Sequence, residues 1–110
     1  MDSDKGHDRK LLVCLYEMIG QIFFMYIVLV GGVSGGDTWG ISGPLALFVM
    51  VTIFGAISGG HFNPAVTLGV YVREAAWGKN LIFMLMYIVS QIIGAILGMM
   101  LASVVLHIKS

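Results

Sequence analysis

The fold turns on Ser58-Gly59-Gly60-His61-Phe62-Asn63-Pro64, followed by Ala65-Val66-Thr67-Leu68-Gly69-Val70-Tyr71-Val72. The first seven residues cannot continue a helix, because adjacent glycines and an Asn-Pro pair interrupt it. Asn63-Pro64 then reads as a helix start. Asparagine is a strong N-cap, and proline suits the first helical position, where its missing N–H had no partner anyway. The apolar run 64–72 has only nine residues. As a helix it reaches ~14 Å, about half of a hydrocarbon core of ~30 Å. It is too short to be a span.

Composition sets the solvent. Of 110 residues, 58% are hydrophobic and 11% charged, against about a quarter charged in soluble domains. A disordered chain is excluded, and a soluble enzyme has too much surface to cover with so few charges. Six basic and six acidic residues give a formal net charge of zero, which leaves no electrostatic footprint for nucleic acid. The single Cys14 cannot form an internal disulfide. The class is integral membrane.

Outward from the motif, residues 11–33 are apolar apart from Glu17 and Gln21, and at ~34 Å they can span a bilayer. A secretory signal fits less well, since its apolar region has ~7–15 residues. Residues 1–10, with Asp2, Asp4, Lys5, Asp8, Arg9 and Lys10, read as a solvated polar arm. Glycine-rich 31–43 reads as a short loop. Residues 41–57 form a second span with Pro44 in its first turn, and 73–80 is a polar connection. The uncharged run 81–106 is the third span, and 107–110 a tail. The expected fold is an all-α membrane protein: three transmembrane helices plus one re-entrant half-helix, the re-entrant unit covering 58–72.

Charge placement selects that topology. With the arm inside and the half-helix returning to the side it left, Lys5, Arg9, Lys10, Arg73 and Lys79 are cytoplasmic and Lys109 is opposite. Reading 64–72 as a fourth span destroys this bias, so the positive-inside rule favours the dip. The N-terminus is then cytoplasmic and the C-terminus on the other side. The start of the half-helix sits near the bilayer midplane, where its dipole places about half a positive charge. Non-helical backbone at that depth must be buried in protein or line a water-filled cavity. Extended just before the cap, Ser58 to Phe62 would offer carbonyl oxygens there, with Gly59 and Gly60 allowing the turn. Acceptors ending at amide donors suit small neutral solutes and disfavour cations.

The stretch from Ser58 to Gly69 resembles the signature of the aquaporins, the major intrinsic proteins, centred on Asn63-Pro64-Ala65. Glu17-Met18-Ile19-Gly20 and Tyr87-Ile88-Val89-Ser90-Gln91-Ile92-Ile93-Gly94-Ala95 are similar to the same family. The resemblance covers nearly all of 11–106 and implies one half of the aquaporin inverted-repeat fold. It implies a pore for passive transport of water or small neutral solutes, glycerol-like ones included. Asn63 would donate its side-chain amide at the constriction, and carbonyls of Gly59, Gly60, His61 and Phe62 would form an acceptor ladder. Val66 would face the pore, as would Phe24 and Leu47. Glu17 would be a structural buried acid accepting from loop N–H groups, with a proton relay as the lesser reading. The resemblance also implies assembly as a tetramer in the lipid bilayer.

Two departures stand out. The position twenty residues before Asn63, which in the family carries a bulky aromatic or a histidine, is Gly43, which implies a wider filter. The family's second repeat, with its own half-helix, does not occur in this sequence, so the chain is expected to need a second inverted repeat to enclose a pore. The alternatives are a non-conducting membrane subunit that serves packing, and two oppositely oriented copies, which the basic bias opposes. Gly94 and Gly98 form a small-xxx-small face, and Trp39, Trp77 and Tyr71 fall near span ends as interface aromatics do. His7, His61 and His107 show no ligand spacing, and no catalytic triad or carboxylate pair is present. No metal, cofactor or enzymatic role is expected.

Overall fold

A computed structural model describes residues 6–34, 39–75 and 77–109. Among the described residues four helices follow one another: α1 (Gly6–Ser34), α2 (Trp39–Ser58), α3 (Pro64–Glu74) and α4 (Trp77–Lys109). Three segments, Arg9–Val33, Gly40–Ser58 and Trp77–Ile108, are long and apolar enough to cross a membrane. The fourth, α3, has 11 residues and at ~16 Å cannot cross. Among the described residues, α1 packs on α2 and on α4, and α3 packs on α4. The protein is an all-α membrane protein.

The distribution of polarity suits lipid. Glu17, Gln21, Ser58, Thr67, Asn80 and Gln91 are buried, whereas large apolar side chains such as Phe48 and Ile82 are turned outward. A hydrocarbon solvent drives apolar groups nowhere, so polar groups collect where they can partner one another. Near one end, Val13 and Cys14 of α1 meet Phe83 and Tyr87 of α4 in a small apolar cluster.

Backbone approach sets the α1–α4 contact. A Cβ on Gly94 would lie 2.5 Å from the Met18 carbonyl oxygen, and one on Gly98 would lie 2.5 Å from that of Ile22. Only hydrogen fits at either position. The pair is therefore a contact surface and not a chance spacing.

Several expected boundaries differ from the observed ones. The loop expected over 31–43 is largely helical: α1 continues to Ser34 and α2 begins at Trp39. Gly31 is not a turn residue. A Cβ there would meet Ser42 at 2.7 Å, so its glycine serves the α1–α2 crossing. Pro44 lies inside α2 rather than in its first turn, and residues 6–10 of the expected arm belong to α1. Lys10 reaches back over Phe83, its Nζ 5.6 Å from the ring centroid.

The polar stretch 73–80 is mostly helical, its first two residues ending α3 and its last four beginning α4. Ala75 adopts φ 52° and its N–H donates to the Val72 carbonyl at 3.2 Å, closing α3. Residues from Trp77 onward already form α4, and Asn80 Nδ2 donates to Glu74 Oε2 at 3.0 Å. Tyr71 is not an interface aromatic. It is buried, donates its hydroxyl to the Trp77 carbonyl and packs edge-on against the Trp77 ring. Trp77 is exposed, and the Trp39 side chain lies outside the described residues.

Replacing Gly94 or Gly98 by valine is expected to destabilise the bundle by about 1–3 kcal/mol, since the α1 backbone must move away. Gly69→Ala and Gly78→Ala, where nothing lies within 4 Å, should not. Unfolding of the purified chain in detergent, followed by circular dichroism, checks the difference.

Candidate pore site

The loop between α2 and α3 is tied to α1 through one carboxylate. Glu17 is fully buried. Its Oε1 accepts from the Ser58 hydroxyl at 2.7 Å and the His61 N–H at 3.0 Å. Its Oε2 accepts from the Phe62 N–H at 2.8 Å and Gln91 Nε2 at 3.0 Å. Two successive backbone N–H groups converging on one anion make a nest, here filled by the chain's own acid. A buried carboxylate is tolerable only with such partners.

That demand shapes the backbone. Gly59 and Gly60 have φ of 90° and 64°, and Phe62 has φ 48°. The expected extended run from Ser58 to Phe62 is therefore replaced by a coil with left-handed backbone at Gly59, Gly60 and Phe62. An extended strand alternates its N–H groups, whereas the coil turns two of them to the same side. At Phe62 a left-handed conformation costs about 1–2 kcal/mol. The ring offsets this by burial to 2% exposure and by an edge-on contact with Phe54. It lies directly over Gly20, where a Cβ would come within 2.2 Å of the ring.

A trans peptide points its C=O opposite to the following N–H, and the described chain has no cis bond. With the His61 and Phe62 N–H groups aimed at Glu17, the carbonyls of Gly60 and His61 point away from α1. The Gly60 N–H donates to Ser58 Oγ at 3.2 Å, so the Gly59 carbonyl is likewise turned outward. Ser58 drops out of the acceptor row, because its carbonyl accepts the Tyr87 hydroxyl at 2.5 Å.

A second layer of bonds joins α4 and α3. Gln91 Nε2 also donates to Thr67 Oγ1 at 2.8 Å, and His61 Nδ1 lies 3.0 Å from the same oxygen. The His61 ring stacks on Tyr87 with centroids 4.8 Å apart. It is held from two sides whichever ring nitrogen carries the proton. Because its amide nitrogen serves Glu17 and Thr67, Gln91 turns Oε1 away, and that oxygen has no partner among the described residues.

Asn63 caps α3 as its sequence suggests: Oδ1 accepts from the Ala65 N–H at 2.8 Å, with Pro64 at the first helical position. Its amide nitrogen is left available, and Asn63, Ala65 and Val66 are exposed. Gly59 and His61 line an open vestibule of about 490 Å³ together with Val66, whereas the Phe62 ring is buried. Leu47 is exposed and Phe24 half-buried. A Cβ on Gly43 would lie 3.8 Å from Val28 of α1. Sequence reasoning left out Thr67 and did not give Ser58, Tyr87 and Gln91 their bonding roles. Gln91 carried a signal, since a polar amide inside an uncharged 26-residue run needs a partner.

Three helices long and apolar enough to cross a membrane, with a polar loop and a half-length helix between the second and the third, define an all-α membrane protein. The sequence profile of the major intrinsic protein family matches residues 9–109, and the chain belongs to that family. It is 35% identical over 104 residues to Aquaporin-8 of Mus musculus, covering 90% of this chain and 39% of that protein. It is 43% identical over 63 residues to Aquaporin PIP2-7 of Musa acuminata, covering 57% of this chain and 21% of that protein. The chain thus spans about two fifths of the length of the first of these relatives. No solved structure matches it.

Glu17→Gln is expected to destabilise the chain by about 3 kcal/mol, because an amide nitrogen then faces donors that only a carboxylate can accept. Limited proteolysis should show earlier cleavage near Gly59-Gly60, alongside a lower unfolding midpoint.

Proposed function

We propose that this chain is the first half of an aquaporin-like channel that passes water or small neutral solutes down their gradient. The observation that carries the reading is the orientation of the loop. Glu17 draws the N–H groups of His61 and Phe62 inward, which sends the carbonyls of Gly60 and His61 to the opposite side, and the Gly60 N–H bond to Ser58 turns the Gly59 carbonyl outward too, with the Asn63 amide next along the chain. A row of acceptors that ends at donors and a positive helix end passes a molecule that can donate and accept in turn. It gives no compensation to a dehydrated cation. Phe62 contributes its carbonyl, Val66 and Leu47 supply apolar wall, Phe24 narrows the lumen, and Gly43 leaves room on its side. Channel activity, not catalysis, is the role that family membership supports.

The half-helix starts within the membrane and covers only half its depth, so closing a pore calls for a second inverted repeat, whether on the same chain or another. Assembly of completed pores into a tetramer belongs to the same proposal. The N-terminus is cytoplasmic in this reading. Arg9 and Lys10 at the start of α1 and Arg73 at the end of α3 line one vestibule, which puts these cations on one face as the positive-inside rule requires.

Stopped-flow swelling of vesicles tests the proposal. The 110-residue chain alone should give the permeability of empty vesicles. Co-reconstitution with a polypeptide carrying a second Asn-Pro-Ala half should raise it, and Asn63→Leu should then lower it about fivefold, the value of one lost hydrogen bond. Permeability that stays at the empty-vesicle level with both halves present overturns the proposal in favour of a non-conducting subunit.

A further inference from the structure

The vestibule beneath the loop has a chemistry that a path for neutral solutes does not call for. Arg9 and Lys10 from α1 and Arg73 from the last turn of α3 line it, against one acid, Glu74. That acid is engaged by Asn80. Topology alone asks only that cations lie on this side of the membrane, and Lys79, in the first turn of α4, satisfies it without lining the cavity. The three lining cations instead converge from two helices far apart in sequence. Lys10 is held over the Phe83 ring. The remaining wall is apolar and aromatic, with Val13, Phe83 and Tyr87.

A volume of about 490 Å³ falls within the range of small-molecule sites, roughly 300–1,000 Å³. The lining charge of three cations against one acid matches a dianion better than a carboxylate. A phosphate monoester carries close to two negative charges near neutral pH. Its three terminal oxygens suit the planar forks of two arginines and the point charge of a lysine. We propose that this vestibule binds a phosphate monoester, its head held by Arg9, Lys10 and Arg73 and its organic part against Val13, Phe83 and Tyr87. The bound molecule would sit at the mouth of the loop, next to Gly59 and His61. Soluble esters and the headgroup of a monoester lipid share this chemistry.

Binding is read on the chain itself, independently of whether it conducts. The chain in phosphatidylcholine nanodiscs is titrated with phenyl phosphate and followed by phosphorus NMR. A second arm replaces a minor fraction of the lipid by phosphatidic acid. Saturable binding is expected, and Arg9→Gln and Arg73→Gln should each weaken it about tenfold. Lys79→Gln should leave it within about twofold, far-UV circular dichroism showing each variant folded. Arg73→Lys, which keeps the charge but not the fork, should fall between. Phosphatidic acid that displaces phenyl phosphate assigns the site to a lipid headgroup, and phenyl phosphate binding that ignores it assigns a soluble ester. No saturable phosphate binding in either arm, or equal weakening by Lys79→Gln, overturns the proposal.

Discussion

A single carboxylate at the centre of a bundle in lipid is the constraint from which the rest follows. Glu17 has no cation among its described partners and is held by four hydrogen-bond donors. Removing a charge from water costs several kcal/mol even after relaxation, so those donors are obligatory and must be supplied by neighbouring elements. Two come from consecutive backbone amides of the loop, one from the end of α2 and one from α4. One side chain thereby fixes the mutual position of α1, the α2 end, the loop and α4.

The loop's conformation is a consequence. The His61 and Phe62 N–H groups meet one carboxylate in a loop whose backbone is left-handed at Gly59, Gly60 and Phe62. Glycine accepts this freely, whereas Phe62 accepts it because its ring fills the space over Gly20. The same coil disposes the carbonyls on the far side. Anchoring on one side and a row of carbonyl acceptors on the other are thus two faces of the same peptide planes.

Close helix approach is the second requirement. Gly94 and Gly98 let α4 touch the α1 backbone, which brings Gln91, one turn earlier on the same face, within reach of Glu17 and Thr67. With larger residues at those positions the amide would stand off, and two buried oxygens would lose a donor. The pattern of polar groups inside and apolar groups outside needs this proximity, because lipid offers no replacement bonds.

The amino-acid sequence by itself determined the membrane class, the three spans, the half-length helix and its Asn63 cap, because length, hydropathy and capping chemistry are local properties. Its motif residues also pointed to the family. Local reasoning went astray where a distant partner decides: Gly31 resembles a turn but serves a crossing, Tyr71 resembles an interface anchor but bonds to Trp77, and Ser58 to Phe62 resemble an extended strand but coil around Glu17. The convergence of Glu17, Ser58, Thr67 and Gln91, and that of Arg9, Lys10 and Arg73 around one vestibule, belongs to tertiary structure alone. Residues up to 74 positions apart in these bonds meet only once the helices have packed, and no periodicity in the chain records which faces will meet.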